Sequence, residues 1–138
     1  MLSKDKHEGD GASLRIAAGA YPIAALQFVQ NGFGRASEAG LVETSQLSID
    51  ERHISGQQLC FGLLEYAIEQ YGLMAPVVLH RWNVQRTDDF GRIVFALIEL
   101  GVLRKSPTDS IDDFRSVFDF DEVFSPQRLR KQVLGTNG

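Results

Sequence analysis

The stretch from Ile54 to Leu73 carries a full set of helix start and stop signals, and it constrains the fold more than any other part of the chain. Ser55 followed by Gln58 makes a capping box, in which the hydroxyl accepts from a free backbone N–H and the amide reaches back to the cap. Ile54 before the cap and Leu59 inside it form the matching hydrophobic staple. Leu59, Cys60, Leu63, Leu64, Ala67, Ile68 and Tyr71 then fall on one face, with Glu65 and Glu69 on the other. Gly72 ends the run where a left-handed residue costs little, and Leu73 folds back onto Ile68. The spacing predicts a helix over 55–71.

Shorter signals surround it. Pro22 suits a first helical turn, and Ile23, Leu26, Phe28 and Val29 recur at near-helical spacing until Asn31-Gly32 offers a stop. Pro76 opens a short helix through Val77, Val78, Leu79 and Trp82. Thr87 reads as the cap of a further helix that closes at Gly101, with Asp88 and Asp89 complementing its dipole and Phe90, Ile93, Val94, Leu97 and Ile98 as its apolar face. Beyond Gly101 the periodicity changes. Val102–Lys105 reads as a strand, 106–109 as a turn and Phe114–Phe120 as a second strand, together a hairpin with an acidic tip. Between 34 and 52 a short helix or strand near Leu47–Ile49 is expected, because a structureless connection of that length is unusual.

At 138 residues and 43% hydrophobic, the chain suits one globular domain, and no apolar run reaches the ~20 residues of a membrane span. The expected class is mainly α (α+β): a compact helical domain over 21–124 with a C-terminal β-hairpin, in winged-helix-like order. Residues 1–20 are read as a flexible tail with almost nothing to bury, and 125–138 as a flexible basic tail. Acids at Asp5, Glu8 and Asp10 stand where a signal peptide carries positive charge, so no cleavage is expected, and the lone Cys60 fits a reducing cytoplasm.

Charge narrows the function classes. Fourteen basic against 18 acidic residues give net −4, which offers a phosphate backbone no long-range attraction. In a winged-helix reading, the helix from Thr87 occupies the recognition position, yet its expected exposed face carries Asp88, Asp89 and Glu99 against Arg92 alone. Any phosphate contact then falls to Arg81, Arg86, Arg104 and Lys105. Between Ser106 and Val123, six carboxylates stand against Arg115, a local net of −5. Their spacing is not that of a calcium loop, so an acidic tip or a docking site for a basic partner is the reading.

Catalytic signals are missing. His7, His53, His80 and one cysteine lack the spacing of a zinc site. Cys60 lies on an apolar helical face, where burial makes a thiol inert. Gly32-Phe33-Gly34 follows a helix and lacks the third glycine of a dinucleotide loop, and no nucleophile elbow or phosphate loop occurs. No cofactor or metal is expected.

From Tyr21 to Phe124 the chain resembles a conserved hypothetical family known mainly from planctomycete and verrucomicrobial bacteria. The resemblance rests on Tyr21-Pro22 with Phe28-Val29, on 53–57 (His-Ile-Ser-Gly-Gln) and on 65–72 (Glu-Tyr-Ala-Ile-Glu-Gln-Tyr-Gly) running into Met74-Ala75. It continues through Trp82, 87–91 (Thr-Asp-Asp-Phe-Gly), 109–114 (Asp-Ser-Ile-Asp-Asp-Phe) and Asp119-Phe120. It implies no activity and transfers no catalytic residue. Within its polar signature, Gln57, Gln70 and Asp113 have no evident local role, and with His53 they form the candidate polar cluster.

The leading expectation is a non-catalytic protein-interaction or regulatory domain, as a heteromer or a homodimer, acting through an apolar helical surface or the acidic tip. A winged-helix-type nucleic-acid binder is the alternative, and an enzyme of unknown class the third.

Overall fold

A computed structural model describes residues 2–4, 19, 21–39 and 54–135. His53 and the expected element at Leu47–Ile49 lie outside the described residues. The order is β1 (Ser3–Lys4), α1 (Ile23–Ala39), α2 (Gly56–Tyr71), a 3-10 turn (Gly72–Met74), α3 (Ala75–Arg81), α4 (Thr87–Glu99), β2 (Leu103–Arg104), a second 3-10 turn (Ile111–Phe114), α5 (Phe120–Val123) and α6 (Pro126–Leu134). The fold is mainly helical, as its periodicity predicts, and none of the described helices is long and apolar enough to cross a membrane.

Helix α2 carries the expected cap: the Ser55 hydroxyl accepts from Gln58 N at 3.1 Å, and the Gln58 side chain accepts from Ser55 N at 2.9 Å. Its apolar face meets α1 and α4 in one core that includes Leu26, Val29, Phe33, Leu59, Leu63, Ile93, Val94 and Leu97. Helix α4 is the centre of the domain. Seven of its residues are buried, and only Arg92 and Glu99 are exposed.

Helix α1 runs past its expected stop. Gly32 does not end it; a Cβ there would fall into the Leu63 side chain, and one on Gly62 would stand 2.6 Å from Ala36 Cβ. The glycine serves close packing of α1 on α2, a use that local sequence shares with termination.

The hairpin is not formed. Leu103–Arg104 pairs antiparallel with Ser3–Lys4, and Leu2 exchanges two backbone hydrogen bonds with Ile54, at 2.8 and 3.0 Å. Leu2 is fully buried, so the start of the expected N-terminal tail is an anchored strand. The segment Phe114–Phe120, expected as the second strand, is broken into turns. Ser110 accepts from Asp112 N, Asp119 accepts from Asp121 N, and Ser116 sits at φ 50°. These side-chain bonds to backbone outcompete extended pairing. The domain thus has the helices of the winged-helix order and no wing.

The expected C-terminal tail is also structured to Gly135. Ser125 caps α6, Pro126 starts it, Leu129 is buried, and Gly135 closes it at φ 66°.

Candidate functional site

The candidate polar cluster does not converge. Gln57 and Gln70 are both exposed on α2, and thirteen residues of helix separate them by ~20 Å along the axis and about 140° around it. Asp113 is half-buried and occupied, its Oδ2 accepting from Ser110 N at 3.0 Å. His53 lies outside the described residues.

The polar residues of 87–89 are fasteners. Thr87 is not the cap of α4, a position held by Arg86; it is buried, donates to the Phe114 carbonyl oxygen at 2.6 Å and accepts from Val117 N at 3.1 Å. Asp88 accepts from Ser116 N at 3.2 Å. Asp89, expected on an exposed face, is buried. Its Oδ1 accepts from Tyr21 Oη at 2.5 Å and from Arg92 Nη1 at 2.9 Å, and its Oδ2 from the amides of Gln85 and Arg86. Burial first, then this hydrogen bond, raises the Tyr21 hydroxyl above its ordinary value. Sequence reasoning missed Asp89 because its partner Tyr21 lies 68 positions away.

The acidic segment is largely spent on its own backbone. Asp109 Oδ2 accepts from Ser106 N at 2.8 Å, Asp119 Oδ1 from Asp121 N at 2.9 Å, and Asp112 and Glu122 pair with Arg115 and Arg128 at 3.2 and 3.3 Å. Among the described residues, no three metal-ligating side chains gather.

The four cations proposed for phosphate split into two pairs. Arg81 and Arg86 lie at the N-terminal end of α4, while Arg104 and Lys105 follow its C-terminal end, with a helix of ~20 Å between. Helix α4 itself, buried on most of its surface, is in no position to enter a groove. Cys60 is sealed in the core, and burial, with the Asp88 carboxylate adding to it, pushes its thiol up to about 12. A thiolate nucleophile is therefore excluded at neutral pH.

One surface differs from the rest. Five of the seven exposed large apolar side chains among the described residues belong to the first 3-10 turn, α3 and α6: Leu73 (49%), Met74 (55%), Val77 (47%), Val133 (39%) and Leu134 (61%). Pro126 borders a cleft of about 730 Å³ with Pro76, Val77, His80 and Arg81, and the Val133 methyls stand 3.8 and 3.9 Å from where a Gly72 Cβ would be. Helix α6 packs on the 3-10 turn and on α2, and its first residue, Pro126, stands on the wall of the cleft opposite α3. Val84, Phe120 and Phe124 line the cleft more deeply. Sequence reasoning missed this face by taking 125–138 as a tail, although Ser125-Pro126 and Gly135 are start and stop signals like those of the other helices.

A second cleft, about 510 Å³, lies between α1 and α2 beside Phe61, Gly62 and Tyr66. Arg35 and Glu69 bridge it at 2.8 Å, both side chains about half exposed. Its rim is polar, and it contains one exposed large apolar side chain, Phe61, which already leans on Phe118 at 5.3 Å between ring centroids.

No protein-family model matches the chain, and neither the curated proteins nor the solved structures compared with it gave a match.

Proposed function

We propose that this domain is a non-catalytic protein-interaction module whose docking face is built from the first 3-10 turn, α3 and α6. The observation that carries the reading is the concentration of exposed Leu73, Met74, Val77, Val133 and Leu134 there, beside a cleft deep enough to take inserted side chains. Scattered surface apolar residues are ordinary, but their concentration in three elements of a small domain points to a surface that another molecule covers. The catalytic alternative has no support in the core thiol, and the polar residues of 87–89 are consumed in holding the fold.

The test places a photo-crosslinking residue at Val77 and at Leu134, and at Glu99 as control, in the native host. An adduct is expected from the first two positions and not the third. The crosslinked protein is then purified and titrated against wild type, Val77→Asp and Leu134→Asp. Each substitution is expected to weaken binding by about tenfold or more without altering the circular dichroism spectrum. Absence of adducts at Val77 and Leu134, or equal binding by all three proteins, would overturn the proposal.

A further inference from the structure

The elements that form the docking face carry no acidic residue. None occurs from Gln70 to Thr87 or from Phe124 to the last residue, whereas Arg81, Arg86, Arg128, Arg130 and Lys131 all do. Arg128 is paired with Glu122, but Arg81, Arg86, Arg130 and Lys131 have no ion pair among the described residues. Two of these cations stand beside the exposed apolar residues on their own helices. Arg81 lines the cleft one helical turn beyond Val77, with His80 beside it. Arg130 follows Pro126 by one turn and precedes Leu134 by one turn, so it shares their side of α6. Asp121 is the one carboxylate on the cleft wall. In a protein of net −4, this is a local reversal of charge around five of the seven exposed large apolar side chains among the described residues.

Resting on the docking reading, we infer that the partner presents an amphipathic segment whose apolar stripe is flanked by carboxylates, seated on this face with its acids facing Arg81 and Arg130. Apolar side chains at i, i+3, i+4 and i+7 of such a segment enter the cleft between α3 and the start of α6, the mode by which a helix fills a groove. Carboxylates on its flanks meet guanidinium groups that can bind them in a planar, bidentate way. A second copy of this chain is the poorer occupant, because a face-to-face pair would set Arg81 and Arg130 against cations like themselves.

The probes are three synthetic helical peptides of about 18 residues. One has a leucine stripe flanked by glutamates, one the same stripe flanked by lysines, and one glutamate flanks with the stripe changed to serine. Each is titrated by fluorescence anisotropy against the full chain, at low salt and at about 0.3 M. The glutamate-flanked leucine peptide is expected to bind at least about tenfold tighter than the other two, with the gap over the lysine peptide narrowing in salt. Arg81→Glu with Arg130→Glu should reverse the charge preference, and Val77→Asp should abolish it. Equal affinity for the glutamate and lysine peptides would overturn the acidic-partner inference while leaving the docking face intact. Binding unaffected by Val77→Asp, or binding only to vesicles of phosphatidylserine, would overturn the docking face as well. Binding to none of the peptides would overturn this inference alone, since the crosslinking test decides the docking face.

Discussion

Thr87 and Phe114, 27 positions apart, are joined by a buried hydrogen bond of 2.6 Å from the threonine hydroxyl to the phenylalanine carbonyl oxygen. The same hydroxyl accepts from Val117 N, so one side chain holds both edges of the turn that carries Phe114 against α4. Replacing Thr87 with Val preserves shape and strands a buried carbonyl and an amide. The expected loss is about 1–3 kcal/mol in chemical denaturation, and Thr87→Ser should recover most of it. A loss in Thr87→Ser with none in Thr87→Val would locate the effect in the methyl group instead.

Phe114 is buried between two glycines. A Cβ on Gly91 would stand 2.8 Å from Phe114 Cβ, and one on Gly56 would stand 2.9 Å from Asp113 Cβ and 3.0 Å from Phe114 Cε2. Gly91→Ala should therefore destabilise by about 1–3 kcal/mol, because the clash is with atoms next to the backbone. Gly34 is the contrast. It sits inside α1 with nothing within 4 Å of its Cβ position, so Gly34→Ala should stabilise by about 0.5–1 kcal/mol. Melting curves of the two variants should move in opposite directions.

That contrast shows where sequence reading stops. Helix α2 was legible because its cap, staple, stripe and stop all lie within twenty consecutive positions, and α3 and α4 share that local grammar. Gly32, Gly34, Gly56 and Gly91 look alike in sequence, and their different roles depend on what packs beside each. The pairing of Leu2 with Ile54 and of Ser3 with Arg104 joins distant segments, so the strand at Leu103 was visible and its partner was not. The docking face was hidden for the same reason. Leu73, Met74 and Val77 are ordinary apolar residues of a helical run until the position of α6 leaves them uncovered.

Cys60 offers a test by pH. Its thiol is raised from 9.0 to about 12 by burial, with Asp88 contributing. Below 9.0 both folded and unfolded chains hold the proton, and the thiol's preference for the folded core is fully present. As pH rises from there toward 12, only the unfolded chain ionises, so stability falls. Iodoacetamide at pH 8 should leave the folded protein unmodified and add one label in denaturant, as read by intact mass. Rapid labelling of the folded protein would show that the core around Leu59 and Leu63 opens.

Leu129 separates a docked α6 from a fraying one. It is the buried residue of the helix, and the contact of Val133 with Gly72 holds the helix's far end. If α6 were a loose tail, Leu129→Ala would change nothing. With α6 packed, the substitution removes several buried methyl and methylene groups, and a loss of about 2 kcal/mol or more is expected. Because α6 is the last element in the described chain, part of that loss should appear as local opening. Hydrogen exchange over 126–134 should then accelerate more than exchange in α2 and α4, which are also held by α1 and by each other. The docking face depends on that order, since Val133 and Leu134 belong to it only while α6 stays in place. Leu129→Ala should consequently weaken partner binding although Leu129 itself is buried, and a substitution at exposed Gln127 should not.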